Sequence, residues 1–236
     1  MDYGLMYYWI YNLDIIVICT ILAIIILFKA SKTKGKFRFA LLVGGVMMLL
    51  NPINRVYELI YSILEGVSYL DNQVLISDFT ISCSYIFAFL TLILILHLDK
   101  NKLVSIFTTL FSTVGIFFVF IAIVTSIPQI FWIVFMLMSV FSIVLAFYLF
   151  TKWRKESNYK SSLIFSIGMI AVGFTDFIYL NILIFAPSVA NSYGWLFMAS
   201  YPVCYVFMGL GLLTLKEKVF DEELMSNKSI ASKYNS

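Results

Sequence analysis

Long apolar runs recur along this chain of 236 residues, and short polar segments separate them. A helix needs about 20 predominantly apolar residues to cross a bilayer, whereas the strands of a membrane barrel alternate in hydrophobicity over about ten residues. The runs here are continuous, so they indicate helices. We therefore predict an all-α bundle of seven transmembrane spans, numbered 1 to 7, near residues 13–28, 39–63, 75–96, 103–125, 130–150, 162–185 and 194–215. Residues 1–215 form this predicted domain, and residues 216–236 form a tail.

The positive charges indicate the orientation of the spans, because Lys and Arg favour the cytoplasmic loops of membrane proteins. Fifteen of the 16 cations lie between spans 1 and 2, 3 and 4, or 5 and 6, or in the tail, and these segments share one side of a seven-span protein. The opposite loops contain acids such as Glu65 and Asp71 but no cation. We therefore predict an N-terminus outside the cell and a cytoplasmic C-terminus.

The composition predicts a chain whose solvent is lipid. Hydrophobic residues make up 62% of it and charged residues 12%, whereas soluble domains carry about 25% charged residues. We therefore predict a multi-pass protein of the cell membrane. The single histidine, His97, belongs to no metal-ligand motif, and no catalytic triad or phosphate-binding loop occurs. These observations predict no metal, no cofactor, no enzymatic activity and no nucleic-acid partner, and they leave the oligomeric state open.

The chain also contains a candidate duplication at an offset of 122 residues, which aligns spans 1 and 2 with spans 5 and 6 without gaps. Apolar matches are common in such a composition, so the polar pairs carry the information: Lys32 with Arg154, Arg38 with Lys160, Asn54 with Asp176, and Tyr57 with Tyr179. Span 3 matches span 7 at an offset of 120. We predict that spans 1–3 and 5–7 are parallel repeats joined by span 4 as a linker. The alternative is coincidence between helical hairpins of biased composition.

This three-plus-one-plus-three plan resembles the SWEET-type sugar carriers of the PQ-loop group and also the microbial rhodopsins. The carrier resemblance implies prolines in the core helices of both repeats, but the counterpart of Pro52 is Phe174, and Pro128 and Gln129 lie before span 5. The rhodopsin resemblance implies a retinal-binding lysine, yet span 7 has no lysine before Lys216. A retinal Schiff base is therefore excluded. A third resemblance, in topology and tail only, is to the seven-helix sensor regions of histidine kinases.

Polar residues inside the spans are the candidate functional residues, because a charge costs about 2.5–3.5 kcal/mol to insert at the centre of a membrane helix. The predicted directions of the spans place nine such residues at one level near the outside: Asn51, Asn54, Arg55, Glu58, Asp78, Tyr85, Asp176, Tyr179 and Tyr201. The four on span 2 share one helical stripe. We predict that they line an outward-facing polar pocket. The alternative is a structural brace in which Arg55 pairs with Glu58, with Asp176, or with both.

Small residues predict where helices approach one another closely. Gly44, Gly45, Gly209 and Gly211 lie within spans 2 and 7. Glycine at such positions lets the backbones of membrane helices come together. We therefore expect these four positions at helix contacts.

Two functions fit these features. In the first, a small-molecule ligand in the outer pocket shifts the helix packing of a sensor or receptor-like protein, and the loops and tail pass this change to a cytoplasmic signalling partner. In the second, the chain is a small-solute transporter with a SWEET-like plan, which requires a polar path on the inner side as well. That path is short of polar residues, with Thr20, Ser139 and Ser142 as its obvious members. The sequence therefore favours sensing over transport.

Overall fold

The computed structural model of the protein describes residues 3–65, 159–186 and 199–216, and single positions at 83, 84, 86–88, 90, 91, 106, 114, 117, 121, 140, 188, 189, 193, 196 and 197. Within these residues every extended element is an α-helix: α1 (Tyr3–Ser31), α2 (Gly35–Glu65), α3 (Tyr159–Phe185) and α4 (Tyr201–Thr214). The all-α class is therefore confirmed for the described part of the chain. Predicted spans 3, 4 and 5 lie almost wholly outside it.

Three of the described helices are long and apolar enough to cross a membrane. Their membrane-length parts are Met6–Ser31, Gly35–Leu64 and Lys160–Tyr179, which correspond to predicted spans 1, 2 and 6. Span 7 contains the shorter apolar helix α4 (Tyr201–Thr214), and the described positions 193, 196 and 197 before it are also helical. Pro202 lies in the first turn of α4, where its missing N–H costs no hydrogen bond.

Helix α1 begins at Tyr3, well before the predicted start of span 1. The apolar pattern did not mark this part of the helix, because the side chains that it buries carry polar groups. Tyr8, Tyr11 and Asn12 are buried, and they continue the stripe of Ile15 and Cys19 at helical spacing. The opposite side of α1 is apolar and exposed, at Val17, Ile21, Ile24 and Phe28 among others. A helix that is apolar on its exposed side requires an apolar solvent, which agrees with a membrane environment.

The described helices pack in a simple order. Helix α1 lies against α2 and α4, and α3 lies against α4. The hydrophobic core between them runs along α1 from Tyr11 to Ala30, and its part toward the C-terminal end of α1 includes Ile26, Met47, Met48, Phe165 and Leu212. The N-terminal end of α1 faces a second, polar interior, described below. The bundle therefore has an apolar end and a polar end.

Glycines set the distance between α3 and α4. An added Cβ at Gly211 would lie 2.6 Å from the backbone nitrogen of Phe165, and one at Gly168 would lie 2.7 Å from the carbonyl oxygen of Cys204. At Gly44 and Gly209 the nearest atoms are instead leucine side chains, of Leu212 and Leu22. Close packing at the glycines predicted from sequence is therefore confirmed, and Gly168 joins them.

The predicted repeat places three described pairs in register: Arg38 with Lys160, which are both exposed, Asn54 with Asp176, and Tyr57 with Tyr179. Asn54 is buried and Asp176 is half-buried, and both face the interior of the bundle. Tyr57 is 37% exposed on the side of α2 that faces away from the bundle, whereas Tyr179 is 9% exposed. Glu58, not Tyr57, takes the inward position on α2, so the two tyrosines differ in environment. The repeat stays a prediction.

Candidate functional site

Eleven polar and aromatic side chains meet at the end of the bundle formed by the N-terminal half of α1. We call them the polar layer: Tyr8, Tyr11, Asn12, Asn51, Asn54, Arg55, Glu58, Asp176, Tyr179, Tyr201 and Tyr205. They come from all four described helices. Two charged centres organise them, one at Glu58 and one at Asp176.

Glu58 is the hub of the first centre and is 1% exposed. Its Oε2 accepts hydrogen bonds from Arg55 Nη1 at 2.5 Å and from the Tyr8 hydroxyl at 3.1 Å, and its Oε1 accepts one from Asn54 Nδ2 at 3.0 Å. Residues 54, 55 and 58 meet because positions three and four apart are neighbours on a helix. Three donors on one carboxylate keep a charge stable where water is excluded.

Arg55 lies between α2 and α1, with its side chain 11% exposed. Its guanidinium also lies 5.0 Å from the centre of the Tyr11 ring, within the range of a cation–π interaction. The predicted contact with Glu58 is confirmed. No ion pair joins Arg55 to Asp176, although both residues are described. Glu58 is one turn away from Arg55 on the same helix. Asp176 lies on α3 and accepts its hydrogen bond from Tyr201 of α4 instead.

Asp176 is the second centre, and it links α3 to the start of α4. The Tyr201 hydroxyl donates a hydrogen bond to Asp176 Oδ1. The hydroxyls of Thr175 and Ser200 form a second link at 3.2 Å. The Tyr201 ring also packs against Tyr11 of α1, with ring centres 6.1 Å apart. Tyr201 therefore joins α1, α3 and α4 at one level of the bundle.

Asn51 closes the inner side of the polar layer. Its Oδ1 accepts a hydrogen bond from the Tyr205 hydroxyl at 2.6 Å, and its Nδ2 donates to Ser84 Oγ at 2.9 Å and to the Met47 carbonyl at 3.0 Å. A cavity of about 20 Å³ adjoins this cluster and is lined by Asn51, Ser84, Ala88, Met169, Val172, Tyr205 and Met208. That volume holds one water molecule, with hydrogen-bonding groups in its wall.

Four buried polar atoms of the described residues lack a hydrogen-bond partner, and all four belong to the polar layer. They are Asn12 Oδ1, Asn54 Oδ1, Arg55 Nε and the Tyr179 hydroxyl. Buried polar groups are satisfied in the great majority of cases, and each exception requires an explanation. The four include a donor, two acceptors and a hydroxyl that can do both. A ligand or water that donates and accepts hydrogen bonds would complement them.

Sequence reasoning and the structure agree on most of the polar layer. Of the nine predicted site residues, the structure gathers seven, and Asp78 and Tyr85 lie outside the described residues. The sequence-based selection missed Tyr8, Tyr11, Asn12 and Tyr205. Their signal was present in the helical spacing: Tyr8 and Asn12 are four residues apart, as are Tyr201 and Tyr205. Ligand binding by any of these residues stays a prediction.

Within the described part of the chain, no group of three or more His, Cys, Asp or Glu side chains is placed to hold a metal ion. Comparisons with protein-family models, with curated proteins and with solved structures find no match to this chain.

Proposed function

We propose that the chain is a seven-helix sensor or receptor-like protein of the cell membrane, whose polar layer binds a small polar ligand from outside. The N-terminus is outside, the tail is cytoplasmic, and a cytoplasmic signalling partner receives the output. Helices α1, α2 and α3, which have membrane length, support the membrane assignment. The segregation of fifteen cations to one side supports the orientation and the count of seven.

One observation carries the choice of a ligand site over a structural brace: the four unpartnered atoms of the polar layer. A brace is most stable when every buried polar group has a partner, and each unpartnered group costs about 1–3 kcal/mol. Here the Glu58 carboxylate is well satisfied, while Arg55 Nε, Asn54 Oδ1, Asn12 Oδ1 and the Tyr179 hydroxyl are not. A bound polar molecule would satisfy these atoms, as would ordered water in a brace, so the experiments below are chosen to separate the two.

The apolar end of the bundle favours sensing over transport. Between the polar layer and the C-terminal end of α1, the interior is lined by Ala23, Ile26, Leu41, Met48 and Phe165. Ser161, Ser162, Ser166 and Thr91 are also buried in this half. The hydroxyls of Ser166 and Thr91 each donate to a carbonyl of the residue four positions earlier, at 2.7 Å, and offer that donor to no solute. A transporter requires a polar path through this half. A transporter of the SWEET-like plan is the alternative proposal, and it needs that path to open in a second conformation.

The predicted membrane arrangement is tested by thiol labelling with a membrane-impermeant reagent applied outside intact cells. Single cysteines in predicted outer loops should react, and single cysteines in predicted cytoplasmic segments should react only after the cells are broken. The outer set is Glu65→Cys, Asp71→Cys and Ser188→Cys, and the inner set is Lys34→Cys, Lys155→Cys and Lys228→Cys. Outside labelling of any member of the inner set would overturn the topology.

The same reagent tests the ligand site. In a chain whose native cysteines Cys19, Cys83 and Cys204 are replaced by alanine, Asn54→Cys should react from outside, because a ligand site has to open to the outside for its ligand to enter, although Asn54 is 1% exposed in this structure. Met48→Cys is the matched control: it lies on the same helix in the apolar core and should not react.

The outcome separates three functions. Reaction of Asn54→Cys from outside alone supports a receptor. Reaction from both sides, each in turn, supports the transporter. Failure to react from either side makes the polar layer a structural brace and contradicts the proposal.

A further inference from the structure

The end of α4 is only partly capped by its own side chains. The Thr214 hydroxyl donates to the carbonyls of Leu210 at 2.8 Å and Gly211 at 3.2 Å, which leaves the carbonyls after Gly211. The last carbonyls of an α-helix have no partner within the helix, so a side chain, a turn or water must satisfy them. Leu215, the residue after α4, is 3% exposed. Its φ of −59° and ψ of 140° do not form the left-handed turn that commonly ends helices. The last turn of α4 also contains no basic residue. The carbonyls at this end therefore need a donor from elsewhere.

That donor is Lys29, in the last turn of α1. Its Nζ lies 2.7 Å from the carbonyl oxygens of Leu213 and Leu215 and 3.3 Å from that of Leu212. An ammonium group has three donors and no acceptor, so it matches a cluster of carbonyls. A cation at a helix C-terminus also interacts favourably with the helix dipole. One side chain of α1 therefore supplies the cap of α4.

Lys29 differs in this respect from the lysine one turn further on. Lys32, just after the end of α1, is exposed. Its Nζ lies 4.0 Å from the centre of the ring of Phe28, which belongs to α1. Lys29 is half-buried and reaches residues more than 180 positions away along the chain. Orientation in the membrane accounts for a cation at either position. It does not account for three carbonyl contacts to another helix.

We propose that Lys29 is a latch: its bonds to the carbonyls of α4 hold the ends of α1 and α4 together and fix the point at which the chain leaves α4. The latch follows from the contacts at this end and does not depend on the proposed function. It extends that function, however, because the other end of α4 lies in the polar layer. Tyr201 bonds to Asp176 and Tyr205 bonds to Asn51.

The length of α4 makes such a connection direct. Its 14 residues span about 20 Å as one rigid helix. A shift of α4 in the polar layer therefore moves Leu213 and Leu215 relative to Lys29. Gly211 and Gly168 hold α4 close to α3, so α4 moves with α3 and against α1. The hydrogen bonds of Lys29 are the contacts at the tail end that such a movement stretches or breaks.

The test is hydrogen exchange measured by mass spectrometry on the full chain in lipid nanodiscs, with no ligand required. In Lys29→Met the amides of residues 211–216 should exchange roughly tenfold faster than in the unmodified chain, because the last turn of α4 frays. Lys32→Met is the matched control and removes the same charge one turn away. It should change exchange in this segment less than about twofold. Lys29→Arg keeps the cation and its donors and should remain close to the unmodified chain.

The proposal is overturned if Lys29→Met leaves residues 211–216 unchanged, if Lys32→Met has an equal effect, or if faster exchange spreads evenly over α1 to α4. If Lys29→Met does not fold, Lys29→Gln, which keeps a polar end without the charge, is judged by the same three criteria. The ligand-site labelling at Asn54 is unaffected by these results, so failure of the latch and failure of the proposed function are distinguishable.

Discussion

Replacing Arg55 by leucine should lower the free energy of unfolding by about 3–5 kcal/mol, because it leaves the Glu58 carboxylate buried without its cation. Glu58 is 1% exposed and would retain the hydrogen bonds from Tyr8 and Asn54 but lose that from Arg55. The substitution also removes the cation from the face of Tyr11. The measurement is a titration of the protein in mixed micelles with a denaturing detergent, followed by tryptophan fluorescence.

Arg38→Leu is the matched control for this experiment. Arg38 lies on the same helix as Arg55, but it is exposed near the start of α2. Its replacement should change the free energy of unfolding by no more than about 0.5 kcal/mol. An equal loss in both variants would mean that the general removal of positive charge, and not the buried pair, causes the effect.

The double substitution Arg55→Leu with Glu58→Leu should recover more than half of the stability lost in Arg55→Leu. Replacing both members of a buried ion pair by apolar residues removes the cost of keeping charges away from water. Recovery should be incomplete, because the Tyr8 hydroxyl and Asn54 Nδ2 lose their acceptor. A double variant less stable than Arg55→Leu would contradict this account, because it would show that the hydrogen bonds from Tyr8 and Asn54 outweigh the cost of a buried carboxylate without Arg55.

Gly211→Ala should destabilise the protein by about 1–3 kcal/mol, because the new methyl group forces α3 and α4 apart. Its Cβ would lie 2.6 Å from both the backbone nitrogen and the Cβ of Phe165, and a helix backbone cannot move aside as a side chain does. The same detergent titration measures the effect. Hydrogen exchange should also become faster in α3 and α4 before it does so in α2.

Gly209→Ala is the control, two residues earlier on the same helix. There the added Cβ would meet the end of the Leu22 side chain at 2.7 Å, and that end can rotate away. Alanine is also the better helix former by up to about 1 kcal/mol, which offsets part of the contact cost. Gly209→Ala should therefore be close to neutral. If Gly209→Ala costs as much as Gly211→Ala, backbone proximity between α3 and α4 is not what selects glycine.

Sequence patterns predicted the features that repeat along a helix. The apolar runs predicted α1, α2 and α3 as membrane-length helices, and the spacing of Asn51, Asn54 and Glu58 predicted their shared inward face. Span 1 was predicted to begin near residue 13, or earlier if residues 8–12 join it, and α1 includes these residues. The sequence left this open because Tyr8 and Tyr11 are residue types that also occur at membrane interfaces. A tyrosine at the end of an apolar run can face either a polar interior or the membrane interface. The sequence pattern is the same in both cases.

Other features have no counterpart in a sequence pattern. The choice between Glu58 and Asp176 as the partner of Arg55 depends on how α2 and α3 are rotated about their axes. Glu58 met the spacing of neighbours within one helix, and Asp176 met the level predicted from the direction of span 6. The acceptors of Lys29 are backbone carbonyls of α4, which every residue possesses, so no residue type marks them. Contacts from a side chain to backbone carbonyls, such as those of Lys29, are therefore the part of this structure that sequence patterns do not predict.

The central claim is that the unpartnered atoms of the polar layer receive a ligand. An experimental structure in lipid nanodiscs tests it most directly, at a resolution that shows bound water. The account predicts density of a bound molecule larger than water within hydrogen-bonding distance of Arg55 Nε and at least one of Asn12 Oδ1, Asn54 Oδ1 and the Tyr179 hydroxyl. Ordered water alone at these atoms would contradict it. Direct bonds from these four atoms to protein groups, such as Asp78 or Tyr85, with no room for another molecule, would contradict it.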